Sequence, residues 1–127
     1  MRGIVDIEWE ALLDAIAQTE SGNNPQAIGD RGLKNPAYGA YQMRRPAYDD
    51  VMRTRPDLRQ ISFEQMQRDA QAQRQLAEGY LRMLNGTYGL QDVDAILSGY
   101  NAGPGAARKG VRVPAYINKV RSQMKGR

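Results

Sequence analysis

Apolar positions along this chain recur at three- and four-residue spacing in several stretches, the period of amphipathic helices. Trp9, Leu12, Leu13, Ile16 and Ala17 form the first stripe, with Asp6 as a candidate cap and Glu8 and Glu10 near the helix's positive end. Glu20 continues that stripe, three residues beyond Ala17 and four beyond Ile16, before Gly22, Asn23 and Pro25 break it. Pro46 suits the first turn of a short helix through about Arg53, which Arg55-Pro56 ends. Ser62 to Gln65 matches a capping box. A longer helix is predicted from Asp69 to Leu84, with Leu76, Tyr80, Met83 and Leu84 inward and the glutamines, Arg68, Arg74 and Arg82 on a wet outer face. Gly79 weakens this helix unless a neighbouring element approaches closely there. Asp92 can cap the next helix, striped by Val93, Ile96, Leu97 and Tyr100 and stopped by Asn101 to Gly105. After a basic loop around Arg108 and Lys109, Pro114 opens a last helix carrying Tyr116, Ile117, Val120 and Met124.

One region escapes the helical period. From Ala27 to Met43 the glycines and Asn35-Pro36 predict a long shaped loop, with a short strand or turn near Tyr38 to Met43. Gln42 sits there between Tyr41 and Met43, as a buried, partnered amide or as one that reaches a ligand. Repeats, low-complexity tracts and convincing strand-pair signals are absent from the sequence. The expected fold is mainly α, five or six helices with one long irregular loop beside Glu20. At 127 residues the chain is long enough for one core, so residues 1–127 are expected to form a single domain.

Composition narrows the chemistry. With no Cys and no His, thiol catalysis, disulfides and Cys/His metal sites are excluded, and no metal or cofactor is expected. Acid–base work near neutrality then falls to carboxylates with shifted pKa values. The net charge of +4 would favour an acidic polymer such as a bacterial cell wall, an anionic membrane surface or nucleic acid. The basic residues neither cluster on one helix nor interleave with an aromatic platform, so nucleic acid fits worst, and a basic solvated surface is the plain alternative. Seven tyrosines against one Phe and one Trp suit a core or a sugar-binding cleft, because Tyr offers both a flat face and a hydroxyl. No stretch is long enough to span a membrane, and Asp6, Glu8 and Glu10 interrupt any signal-like run, so neither insertion nor a leader is expected here.

Glu20 is the candidate catalytic residue. A carboxylate in the last turn faces the negative end of the helix dipole, and partial burial also disfavours its charge. Both effects raise its pKa, as a general acid requires. The bland alternative is an ordinary residue at a frayed helix end.

Three stretches, in order, resemble the lytic transglycosylases related to goose-type lysozyme: Glu20-Ser21-Gly22-Asn23-Asn24-Pro25-Gln26-Ala27, Gly39-Ala40-Tyr41-Gln42-Met43 and Gly99-Tyr100-Asn101-Ala102-Gly103-Pro104-Gly105. Tyr116 to Val120 is similar to the family's closing segment. The resemblance spans nearly the whole chain and implies a small lysozyme-like helical domain that cleaves the β-1,4 bond between N-acetylmuramic acid and N-acetylglucosamine in peptidoglycan, leaving a 1,6-anhydro sugar. By position it implies Glu20 as the single acid and base, and Ser21 orienting it or the reacting hydroxyl. Gln42 would contact substrate, the Tyr100 hydroxyl would hold the glutamate, and Asn101 would bind sugar or fix the turn. Gly99 in place of the usual Ala, a longer loop before Gly39, and Ala40-Tyr41 in place of Leu-Met put cleft shape and stem-peptide preference in question more than the chemistry.

Two alternatives stay open. If Asp30, or Asp49 or Asp50, lies across the cleft from Glu20, it could activate water, and the enzyme would be a hydrolytic lysozyme. A non-catalytic wall-binding protein of a phage particle would keep the fold without turnover. The resemblance also suggests a bacteriophage source, as a holin-released endolysin or a particle-borne enzyme. It would act in the periplasm or wall after residing in the particle or the host cytoplasm.

Overall fold

The computed structural model describes residues 7–125, so Asp6 and its expected capping role lie outside the described residues. Helix α1 (Trp9–Ser21) forms on the expected stripe and buries Leu12, Leu13, Ala15, Ile16 and Ala17. Gly22 ends it in the left-handed region at φ 68°, where a side chain would be strained. There the Gly22 N–H donates to Gln18 and the Asn23 N–H to Ala17, both at 3.0 Å, so the helix stops abruptly just past Glu20.

The segment after α1 is less irregular than its glycines suggest. Strands β1 (Ile28–Gly29) and β2 (Ala37–Tyr38) pair antiparallel, Ile28 opposite Tyr38, and Tyr38 bridges on to Met43. The short strand or turn expected near Tyr38 to Met43 is present, and its pairing with β1 left no signal in the sequence because a two-residue strand is too short to show an alternating pattern. Helix α2 (Arg45–Thr54) starts with Pro46 in its first turn, and a 3-10 turn at Pro56–Leu58 follows it. Ser62 caps α3 (Phe63–Arg68) by accepting from the Gln65 N–H, and Asp69 caps α4 (Ala70–Gly86). Asp92 caps α5 (Val93–Ala102) by accepting from the Ala95 N–H at 2.8 Å. The expected loop after Gly103 is instead a short helix, α6 (Pro104–Arg108), with proline in its first turn, where a missing N–H costs nothing. The last helix is α7 (Pro114–Lys125).

Helix α4 runs through the middle, with α2, α3 and α5 packed against it, while α7 lies along α1. Leu12, Ile16, Leu76, Leu84, Ile96, Leu97 and Val120 meet in one core with no exposed surface. Each contributes about 1.5–3 kcal/mol by burial, so the helix carrying Glu20 is firmly seated. Gly79 has the reason the sequence lacked: a Cβ there would stand 2.7 Å from Leu58 Cδ1 and 3.4 Å from Val51 Cγ1. The described residues contain no helix long and apolar enough to cross a membrane.

Candidate active site

Glu20 projects from the final turn of α1, and its carboxylate Oε2 accepts a 2.7 Å hydrogen bond from the hydroxyl of Tyr116 in α7. The carboxyl pKa is raised above its ordinary value near 4.5, because burial penalises the charged form. The Tyr116 hydrogen bond and the Arg44 charge both pull it the other way without cancelling the burial. Tyr100 and Tyr116 have their own pKa values pushed up, first by burial and then by the Glu20 charge. Both tyrosines therefore keep their protons and remain donors at any working pH.

The sequence-derived role of Tyr100 changes here. Its hydroxyl donates to the backbone carbonyl of Tyr41 at 2.7 Å, and the hydrogen bond expected from it to Glu20 is made by Tyr116. Tyr100 thus fixes the wall opposite α5, while its ring packs edge-on against Tyr80. Ser21 also serves that wall: its hydroxyl donates to Ala40 O at 2.8 Å and accepts from the Asn24 N–H at 2.9 Å.

Between these two contacts lies the peptide Ala40–Tyr41, and a third side chain closes the arrangement. Gln73 of α4 accepts from the Ala40 N–H at 3.0 Å and donates to Pro25 O at 2.9 Å. It is 2% exposed, which corrects its assignment to a wet outer face. Arg74 beside it bonds the Tyr41 hydroxyl at 2.9 Å and pairs with Asp14. The next residue, Gln42, takes the left-handed φ of 51° and donates its side-chain amide to Gly39 O at 2.9 Å and Ala27 O at 3.4 Å. Gly29 leaves room for that amide, since a Cβ there would lie 2.3 Å from Gln42 Oε1. The spacing Gly39 to Gln42 therefore builds a rigid wall, braced from α1, α4 and α5.

Against this wall opens a cleft of about 260 Å³. Gln42, Arg44, Asp50, Tyr80, Tyr100, Asn101 and Gly103 are among its lining residues. The fold thus brings Gln42, Tyr100 and Asn101 together, with Asn101 exposed. Glu20 is not in the lining; its chain neighbour Ser21 bonds the wall at Ala40 O, and the charges of Glu20 and of the lining residue Arg44 act on one another.

Asp30 takes no part in the lining. It sits in the left-handed region at φ 54° and forms an ion pair with Arg44, which also donates to Asn35 O at 2.5 Å. Asp49 pairs with Arg45 on the surface. Asp50 is the carboxylate that does line the cleft, and it pairs with Arg53. Among the described residues no group of three or more His, Cys, Asp or Glu side chains is placed to hold a metal ion.

Sequence reasoning missed Arg44 and Gln73 as parts of the site, and placed Tyr116 on the apolar stripe of the last helix and in the closing segment of the resemblance without giving its hydroxyl a role. Signals for two of them existed: Arg44 follows the Gly39 to Met43 motif directly, and Gln73 falls three residues before Leu76 on the inner face of α4.

A carboxyl whose pKa is raised by burial, at the end of a helix and bonded to a tyrosine hydroxyl, sits in a small helical domain of the lysozyme-like class beside a wall of amide and tyrosine groups. The chain belongs to the transglycosylase SLT domain family, which it matches over residues 6–118. That family acts on peptidoglycan as lytic transglycosylases. No curated protein and no solved structure matches the chain. The family match carries no information on a bacteriophage origin.

Proposed function

We propose that this chain is a peptidoglycan lytic transglycosylase in which Glu20 alone serves as acid and base, within one domain formed by residues 1–127. The observation that carries the reading is the Glu20 carboxyl, raised in pKa by burial and oriented by Tyr116. In its protonated form Glu20 gives its proton to the glycosidic oxygen of the departing N-acetylglucosamine as the C1–O bond of N-acetylmuramic acid breaks. Positive charge at C1 is met by the sugar's own acetamido group and by site dipoles. The resulting Glu20 carboxylate then takes the proton of the muramic C6 hydroxyl as O6 bonds to C1. The proton account closes, no water is consumed, and no second carboxylate is needed.

Gln42 and Asn101 supply amide groups along the glycan, and Ser21 and Tyr100 hold the wall that carries Gln42. Asp30 is engaged with Arg44, which disfavours it as a base for water. The hydrolytic alternative would pass instead to Asp50, the carboxylate of the cleft.

Mass analysis of fragments from purified peptidoglycan tests this. Muropeptides one water lighter than reducing ends, absent with Glu20→Gln, are the expected result. Reducing ends would establish hydrolysis, and binding to sacculi without fragments would point to a wall-binding protein.

A further inference from the structure

The lining of the cleft contains a cation that the glycosidic chemistry does not use. Arg44 stands between the wall and α2, 39% exposed, and braced from behind by the Asp30 carboxylate and the Asn35 carbonyl. Those two contacts fix the side chain's direction while leaving other guanidinium donors unspent. Holding an arginine in one place removes much of the ordering cost of binding an anion, and a guanidinium matches a carboxylate with two parallel hydrogen bonds. The other charged lining group, Asp50, would repel an anion, but its ion pair with Arg53 offsets that charge. Gln42, Tyr80, Tyr100 and Asn101 bring no formal charge to the cleft, so Arg44 is its natural seat for an anion.

We infer that Arg44 is a specificity-determining residue that binds a carboxylate on the 3-O-lactyl substituent of N-acetylmuramic acid. The inference rests on the muramoyl-glycan reading above and adds which sugar the cleft distinguishes. N-Acetylglucosamine has no such group, so Arg44 would separate muramoyl glycan from a neutral polymer of the same backbone. Two sources share this chemistry. In peptide-free glycan the lactyl carboxylate itself is free, and in intact peptidoglycan the stem peptide attached there carries carboxylates.

The test uses the full chain in a Glu20→Gln background, so that ligands are bound and not cut. Calorimetry compares Arg44, Arg44→Gln and Arg44→Lys with three oligosaccharides of equal length: neutral N-acetylglucosamine oligomer, peptide-free alternating glycan and peptide-bearing glycan. Arg44→Gln should weaken binding of a muramoyl ligand about tenfold more than binding of the neutral oligomer, the loss of roughly one charge-assisted contact. Arg44→Lys, which keeps the charge but not the fork, should fall between. A loss confined to peptide-free glycan assigns the lactyl carboxylate, and one confined to peptide-bearing glycan assigns the stem peptide. Equal weakening on all three ligands, or none, overturns the inference and leaves Arg44 as a brace for the loop. Whether the unsubstituted protein releases anhydro ends from sacculi is read separately, so failure of the enzymatic reading is not confused with failure of this one.

Discussion

The hydroxyl of Tyr116 lies 2.7 Å from Glu20 Oε2, joining the last helix to the end of the first across 96 residues of chain. A donor to a carboxylate favours the charged form, so this contact restrains the rise in pKa that burial produces. Tyr116→Phe removes the donor while keeping the ring. The Glu20 pKa should then rise further, and because the acid works protonated, the alkaline limb of the pH–rate profile should move to higher pH. Loss of orientation should lower kcat about tenfold, in line with one hydrogen bond to a charged group. An unshifted limb would show that Tyr116 does not govern Glu20.

Glu20 should also weigh on stability. Its folded pKa is raised above the ordinary value near 4.5, so the fold prefers the protonated form. The associated stability is fully present below the unfolded pKa and lost as pH rises through the folded one. Glu20→Gln cannot ionise and should escape that loss. Urea titrations at a series of pH values should show the variant gaining on the parent as pH rises above about 4.5. A difference independent of pH would contradict the burial of this carboxyl.

The wall makes a second stability claim. Gln73→Leu leaves the buried Ala40 N–H and the part-buried Pro25 carbonyl without their partner. At about 1–3 kcal/mol for each stranded group, the variant should lose about 2–4 kcal/mol in urea unfolding. Because Ala40 leads directly to Gln42, turnover of peptidoglycan should drop by more than the unfolded fraction accounts for. Turnover that merely follows the folded fraction would make Gln73 a stabilising residue and nothing more.

These contacts mark the limit of what the chain discloses by pattern. Helical stripes and the caps at Ser62 and Asp92 are local, set by neighbours within four residues, and they are legible. Glu20 was legible for the same reason, as a carboxylate on an apolar stripe. The Tyr116 contact was not, since nothing local in α7 says what its hydroxyl meets. Gln73 was hidden among Gln71 and Gln75, which are exposed; only its place on the face of Leu76 and Ala77 separates it from them. Asp30 looked like a free carboxylate because its partner Arg44 follows 14 residues later, beyond the strand pair that folds the loop back. Pro104 between glycines looked like a breaker, although a proline can equally open a helix.

Gly99 gives the last prediction, where two effects oppose each other. Replacing a mid-helix glycine by alanine gains about 1 kcal/mol of helix propensity. The Cβ added in α5, however, would lie 2.9 Å from Leu90 Cδ1 and 3.0 Å from Leu84 Cδ2. Leu84 is fully buried and Leu90 nearly so, so neither can turn out to solvent. Overpacking of this kind costs about 1–3 kcal/mol, which outweighs the propensity gain. Gly99→Ala should therefore destabilise the protein by about 1 kcal/mol in urea unfolding, as the balance of those two terms. Leu90→Val removes the nearest obstruction at some cost of its own. In the double variant the alanine should become neutral or stabilising, a coupling that a double-mutant cycle measures directly. Strict additivity would mean that the helix has moved as a body, and that Leu90 does not set the spacing between α5 and its neighbours.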